Sequence, residues 1–397
     1  MLVHKYGGSS VATTKQIMDI AKHLKNIIER ENRKIIVVVS AMGKTTNSLI
    51  EKANELSLKP NKREMDALLS TGESVSAPLL SIALNEIGVK ALSLNGFQAG
   101  IKTNGDYSKS YISSINTKKL RKLLESYSIL VITGFQGFNE FGDITTLGRG
   151  GSDTTAVALA CALHCPCEIY TDVEHIYTFD PRIIPTAKPI ERLSYEEMIE
   201  LALGGAKVLE PRSVELAKKY NIPIYLGKSL EKEKRGSFVM KKSLESEKVS
   251  SLAIKENVSV LTIKADIADK NFLSNLLASC KNELSSYTLL SYLTIGPTQV
   301  VSISLDSLES KNLIENLEKA NILSSSTTLE IENLSKIVVA GVGFVTHPKL
   351  TNKVISLLTS NKIVIKNLNV NEFSLNITIE KEDALNALSI ICEQFNL

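Results

Sequence analysis

The 397 residues carry 46 Lys and Arg against 43 Asp and Glu, a net charge of +3, with 43% hydrophobic and 22% charged positions. A chain this long exceeds what one core usually fills, so two or more domains are expected, while the near balance of charge argues against a nucleic-acid partner. No apolar run reaches membrane-spanning length and the opening MLVHKYGGSS lacks the apolar segment of a secretory leader, which points to a cytoplasmic protein with small-molecule partners and no membrane.

Taken in order, residues 1–6 read as a short strand, followed by Gly7, Gly8, Ser9 and a helix from about Thr14 to Arg30 with Ile17, Ile20, Ala21, Leu24 and Ile28 on one face. IIVVVS at 35–40 is a continuous β-branched run, as in a parallel strand buried on both faces, and a helix from about Thr46 follows its turn. Residues 61–86 predict one or two helices around LLSTGES, with Glu73 inside. Strands are predicted at 90–94 and 128–133, then a hairpin through FQGFNEFGDITTL.

TLGRGGSDTTAVALACAL, residues 146–163, joins an arginine, paired glycines and an acid to the start of an apolar helix. Ser152 and Asp153 are N-cap candidates, so a helix is expected to begin near Ser152. Its first amides and dipole favour an anion, Gly150 and Gly151 permit close approach, and Arg149 offers a fork suited to a carboxylate. Asp153 would repel an anion unless it receives an ammonium, bonds a hydroxyl or faces a metal ion. The plain alternative is a glycine turn, a capped helix and a surface arginine.

A strand at 167–172, the polar loop VEHIYTFDPR, helices near 194–203 and 211–220 and a strand at 222–226 complete an alternating α/β pattern, in which ligands sit beyond the strand ends. The five cysteines are odd in number and scattered, which implies reduced thiols, and the group Cys161, His164, Cys165 and Cys167 lacks a second zinc-like ligand pair, so no metal site is assigned. The highly charged stretch at 229–250 reads as a linker. Beyond it, VSVLTIK, a helix, TLLSYLTI, QVVSISL and a helix suggest a β-α-β-β-α-β unit, and KIVVAGV, a helix, IVIKN, FSLNITI and a last helix repeat the order.

KYGGSSV (5–11), VVSAMGKTTN (38–47), STGES (70–74), GRGGSDTTA (148–156), YTDVEHIYTFDPR (170–182) and GAKVLEPRSVELA (205–217) together resemble the aspartate kinases of the amino-acid kinase superfamily. The resemblance implies a three-layer α/β/α catalytic domain over 1–228, the linker at 229–250, and tandem ferredoxin-like α+β ACT regulatory units over 251–397. It also implies transfer of the γ-phosphoryl of MgATP to the β-carboxylate of L-aspartate, the first step toward lysine, threonine and methionine.

On that pattern Lys5 and Asp153 would be catalytic, with Lys5, Gly7, Gly8 and Ser9 at the ATP phosphates. Ser40, Thr46, Glu73, Arg149 and Gly150 would hold the amino acid, and Thr171, Asp172, Tyr177, Arg182 and Lys207 the rest of the nucleotide. No resident metal is implied beyond the Mg2+ of MgATP. His175 stands where the family usually has glycine, and Glu210 where it usually has histidine. Lysine or threonine is the class of effector the ACT units imply, and a homodimer or higher homo-oligomer the expected assembly, although ADIADKNFL, GFVTHPKLT and KNLNVNEFS depart from the usual effector turns. Two other readings stay open: the same fold with glutamate, acetylglutamate or a related carboxylate as acceptor, and a non-catalytic ligand-binding regulator. A Rossmann dehydrogenase is disfavoured, because KYGGSS lacks the G-x-G-x-x-G spacing.

Overall fold

A computed structural model describes all residues except 231–235, 242–247, 284–286 and 324–326. The chain divides into two units, Met1–Thr178 with Lys188–Leu203 and Lys207–Leu244, and Phe179–Ala187 with Gly204–Ala206 and Glu245–Leu397.

The first unit runs β1 (Leu2–Tyr6), α1 (Thr14–Glu31), β2 (Ile35–Val39), α2 (Thr45–Leu56), α3 (Lys62–Leu69), α4 (Thr71–Glu86), β3 (Ala91–Leu94), α5 (Gly96–Ala99), β4 (Ile101–Asn104), β5 (Tyr111–Ile115), α6 (Thr117–Ser126) and β6 (Ile129–Thr133). It continues with β7 (Gln136–Phe138), β8 (Ile144–Thr146), α7 (Gly151–Leu163), β9 (Cys167–Thr171), β10 (Ile176–Tyr177), β11 (Pro189–Ile190), β12 (Arg192–Leu193), α8 (Tyr195–Leu203), α9 (Pro211–Tyr220), β13 (Ile224–Lys228) and β14 (Gly236–Val239).

The main sheet has the order β12-β14-β13-β9-β1-β2-β6-β3 and is parallel except where β13 meets β14. All five residues of β1, of β2 and of β6 are buried, and β2 (IIVVV) and β6 (ILVIT) are apolar and largely β-branched because both faces of the sheet are covered, whereas β1 also buries His4 and Lys5. On one face Val37, Val39, Ile129 and Val131 meet Ile17, Ile20 and Leu24 of α1 and Leu80 and Leu84 of α4. On the other, α7 packs over β1 and β2 and against α9. α1 starts on a capping box, Thr13 and Gln16 bonding each other's backbone amides, and ends at Asn32 in the left-handed region. By length and hydropathy alone Lys62–Glu86 could cross a bilayer, yet it divides at Ser70 and buries Asp66, Glu73 and Ser76 within the unit.

Two local expectations change. α7 is not capped by Ser152 or Asp153: its N-cap is Gly150, at φ +69° and without a side-chain bond. Ser152 is instead wedged against Gly134, and Asp153 is drawn to Lys5. The second small sheet, β5-β4-β7-β8, adds a β4–β5 pair to the expected β7–β8 hairpin; IKTN and YISSI are too short and polar to show a clear period. Within the charged stretch at 229–250, Gly236–Val239 forms β14, while 231–235 and 242–247 lie outside the described residues.

The second unit contains β15 (Lys248–Asp266), α10 (Phe272–Glu283), β16 (Tyr287–Ile295), β17 (Thr298–Asp306), α11 (Ser307–Lys319), β18 (Thr328–Val342), α12 (Pro348–Ser360), β19 (Asn367–Val370), β20 (Ser374–Ile379) and α13 (Ala384–Phe395). The two expected repeats share one antiparallel sheet, β16-β17-β15-β18-β20-β19. β15 and β18 pair along most of their length, with a register shift between Lys255 and Val258, so each long strand serves both halves. Leu261, Phe272, Ile303 and Leu313 form one core, and Ile337, Leu358, Ile377 and Leu388 another. IVIKN does not form a strand as a whole; the strand begins at Asn367, and Ile363 is buried ahead of it as a core anchor. The second unit is thus a pair of ferredoxin-like α+β repeats merged into one sheet, and the first a doubly covered, mostly parallel α/β sheet.

Candidate active site

The carboxyl ends of the parallel strands are tied to one another in sequence. Ser229 N–H donates to Thr171 O (3.2 Å), Gly7 N–H to Tyr170 O (3.1 Å), Ser40 N–H to Tyr6 O (3.2 Å) and Gly134 N–H to Val39 O (3.0 Å). The turns after β13, β9, β1, β2 and β6 therefore line one edge of the sheet, where open α/β sheets bind ligands. Glycine makes the approach possible: a methyl group added at Gly8 would come within 2.7 Å of Ala41 O.

Lys5 is the inward member of β1 at this edge, and its Nζ lies 2.7 Å from Asp153 Oδ1 in the first turn of α7, with both side chains nearly buried. A methyl group on Gly7 would sit 3.5 Å from that Nζ, an ordinary contact distance, so the glycine turn lies directly against the ammonium. Arg149 and Gly150 occupy the turn directly before α7. A methyl group on Gly150 would meet Glu210 Oε2 at 2.5 Å. Glu210 is the N-cap residue of α9 but makes no capping bond. Burial pushes its carboxyl up, Asp153 adds to the rise, and Arg149 and Arg212 oppose it.

Glu73, in the first turn of α4, is 3% exposed. Its Oε1 accepts from Ala41 N–H (3.1 Å), whereas Oε2 is buried without a hydrogen-bond partner. Burial pushes its carboxyl up to about 7, against the lowering effect of its own amide and that of Ala41. Gly72 packs on Ala41, so α4 begins against the turn that carries Ser40. Ser40 O accepts from Ser76 Oγ (2.8 Å). Thr46 is half-buried in the first turn of α2, next to Thr45, whose hydroxyl is taken by Met42 O (2.6 Å).

Among the other predicted residues, Thr171 Oγ1 donates to the exposed Asp172 (2.8 Å) at the end of β9. Tyr177 is half-buried with its ring edge-on to His175. His175 keeps an ordinary negative φ, so replacing a glycine there imposes no backbone strain. Ser9 and Lys207 are exposed. Arg182 belongs to the second unit, where Nη2 lies 2.6 Å from Asp180 Oδ2.

Three residues at this edge escape sequence reasoning. Ser229 bonds both Ser10 Oγ (2.6 Å) and Thr171 O (3.1 Å), at the start of the charged stretch. Phe135 holds φ +69° beside Gly151, its N–H donating to Thr155 Oγ1 (3.1 Å). Asp66 is a fully buried acid on a helix that reads as amphipathic.

Residues 1–228 match the model of the amino acid kinase family. An aspartokinase of Geobacillus stearothermophilus is 38% identical over 401 residues, covering 100% of this chain and 97% of the relative. The chain belongs to the aspartokinase family. Aspartokinase 2 of Bacillus subtilis is 36% identical, covering 100% of this chain and 98% of the relative. Among solved structures, E. coli aspartokinase III in complex with aspartate and ADP superposes with a TM-score of 0.82 at 23% identity, covering 100% of both chains, which establishes the aspartokinase fold over both units.

Proposed function

We propose that the chain transfers the γ-phosphoryl group of ATP to the β-carboxylate of L-aspartate, giving 4-phospho-L-aspartate and ADP, the first step toward lysine, threonine and methionine. The observation that carries this is the Lys5–Asp153 pair set at the start of α7 beside Arg149. A carboxylate oxygen attacks the γ-phosphorus, the bond to the β-phosphate oxygen breaks, and ADP takes the electron pair. The nucleophile is already ionised at neutral pH, so no general base is needed. Negative charge spreads over the moving group, and a fixed ammonium at Lys5, with the amides of Gly7, Gly8 and Ser9, opposes it. Asp153 holds that ammonium in place.

Arg149 and Gly150 take the α-carboxylate at the helix start, Glu73 Oε2 faces the α-ammonium, and Ser40 and Thr46 supply hydroxyls. A buried carboxylate oxygen without a hydrogen-bond partner is the atom that an ammonium would satisfy. Thr171, Asp172, Tyr177 and Lys207, all of the first unit, are assigned to the nucleotide. Among the described residues no group of three His, Cys, Asp or Glu could hold a metal ion. Magnesium, held largely by substrate phosphates and water, would enter as part of MgATP.

The same reading takes 1–228 as the catalytic domain and 251–397 as tandem ACT units, joined through 229–250, with lysine or threonine as effector. Leu289, Tyr292, Leu293 and Ile295 on the exposed edge strand β16 support association into a homo-oligomer. The five free, buried cysteines suit the reducing cytoplasm. Trapping the acyl phosphate with hydroxylamine across aspartate, glutamate and acetylglutamate, with and without lysine and threonine, tests the assignment. Hydroxamate from aspartate alone supports it; hydroxamate from another acceptor, or ATP binding without ADP formation, refutes it.

A further inference from the structure

Glu73 and Arg149, assigned to the two charged ends of the acceptor, stand on separate pieces of the first unit. Glu73 lies on α4, immediately after α3, while Arg149 lies in the turn that follows β8. Selectivity for one amino acid requires their separation to be fixed, and the fixing element is Asp66 on α3. Its carboxylate accepts four hydrogen bonds: from Thr146 N–H (2.9 Å) and Oγ1 (2.6 Å), and from Ser108 N–H (2.9 Å) and Oγ (3.1 Å). Burying an acid is costly unless it is satisfied in this way, and here two loops supply two donors each.

Every residue between Thr146 and Arg149 is held. Leu147 N–H donates to Phe135 O (2.9 Å), and Leu147 O accepts from Arg212 Nη1 (3.2 Å), whose Nη2 reaches Ser110 O (2.8 Å). Gly148, at φ +78°, backs onto Ser108 O, which a methyl group there would approach to 3.0 Å. Ser108 itself holds φ +68°, an unfavourable backbone for serine that its amide bond to Asp66 retains. Asp66 thus fixes the start of the segment and the surface its middle rests on. One turn earlier on α3, Arg63 Nη2 meets Asp143 Oδ1 (2.8 Å), and at the α3–α4 junction Gln136 Nε2 donates to Ser70 O (2.8 Å). The piece that bears Glu73 therefore grips the piece that bears Arg149 at residues 136, 143 and 146, and the grip at 146 is the buried one nearest the arginine.

We propose that Asp66 is a positioning residue for the phosphoryl acceptor: by holding Thr146 and Ser108 it sets the distance from Arg149 to Glu73, and so the length of amino acid accepted. This rests on the acceptor assignment above. Nucleotide binding, at the Lys5 and Thr171 side, is outside its reach.

The test is steady-state kinetics of the full chain bearing Asp66→Asn or Thr146→Val, with Arg149→Ala as site control and Leu69→Ala, a cavity on the same helix, as stability control. Asparagine keeps one acceptor oxygen but turns an NH2 toward donors, so Asp66→Asn should raise KM for aspartate roughly tenfold or more. Thr146→Val, which removes one hydroxyl, should raise it about threefold, and both variants should narrow the kcat/KM preference for aspartate over glutamate. KM for ATP should stay unchanged, and Leu69→Ala should lower Tm without moving the aspartate KM. The proposal is overturned if the variants lower Tm but keep aspartate KM and selectivity, or if the KM values for aspartate and ATP rise together. Should Asp66→Asn fail to fold, Thr146→Val decides alone. An unchanged aspartate KM in Arg149→Ala would overturn the acceptor site and this inference with it; a raised KM there beside unchanged Asp66 and Thr146 variants would overturn only the inference.

Discussion

Lys5 Nζ and Asp153 Oδ1 lie 2.7 Å apart, with side chains only 11% and 13% exposed. The acid that looks misplaced in an anion-binding turn is thereby paired with a cation, the one proposed above to face phosphate. Removing one member of such a pair leaves the other charge buried and free to swing. Asp153→Asn should therefore lower kcat by more than about tenfold and lower Tm by several degrees, with KM for aspartate changing less than kcat. Steady-state rates and a thermal melt check both parts. A kcat close to wild type would show that Lys5 keeps its position unaided.

Glu73 gives a pH prediction of definite sign. Burial raises its carboxyl from the ordinary 4.5 to about 7, so the folded protein holds a proton that the unfolded chain releases. Its contribution to stability is complete below about pH 4.5 and is lost as pH rises through about 7, amounting to roughly 3 kcal/mol. Urea titrations should show wild type losing stability relative to Glu73→Gln over that window. The ionised form is the one that would pair with the acceptor's ammonium, so KM for aspartate should fall as pH rises from about 6 to about 8 in wild type and be flat in Glu73→Gln. A flat wild-type profile would remove Glu73 from the ammonium site.

Gly150 and Gly88 both sit at positive φ, +69° and +84°, but only Gly150 is crowded, with Glu210 Oε2 2.5 Å from an added methyl and nothing within 4 Å of one at Gly88. Gly88→Ala should cost about 1 kcal/mol, the backbone penalty alone, and leave kinetics unchanged. Gly150→Ala should cost about 2 kcal/mol or more and raise KM for aspartate, because the added methyl displaces the turn beside Arg149. Equal losses in the two variants, measured by denaturation, would show that Glu210 yields without disturbing the turn.

The parts of the fold legible in the sequence are those with a strong local signal. IIVVV could only be a strand covered on both faces, and Ile17, Ile20, Ala21 and Leu24 mark the buried face of α1 as the structure has it. Glycine turns after strands pointed to the carboxyl edge of the sheet, where the structure brings those turns together. What stayed hidden depends on distant pairing. Lys248–Ser250 fall inside the charged stretch read as a linker until β18 lies beside them, and YISSI needs β4 as a neighbour before it reads as a strand. Asp66 in KREMDALL looks like any solvated helix acid, since its donors are 42 and 80 residues away. Ser152 has the composition of an N-cap, yet packing against Gly134 took precedence over that local preference.

The division of labour across the crevice, phosphoryl group to Lys5 and amino acid to Arg149, is tested most directly by measuring aspartyl hydroxamate formation in wild type, Lys5→Ala and Arg149→Ala over full ranges of aspartate and ATP. Lys5→Ala should lose kcat by on the order of a hundredfold or more with a near-normal KM for aspartate. Arg149→Ala should raise KM for aspartate by on the order of tenfold or more while KM for ATP holds. Both variants retaining wild-type kinetics with aspartate, or the two defects appearing exchanged, would contradict the assignment.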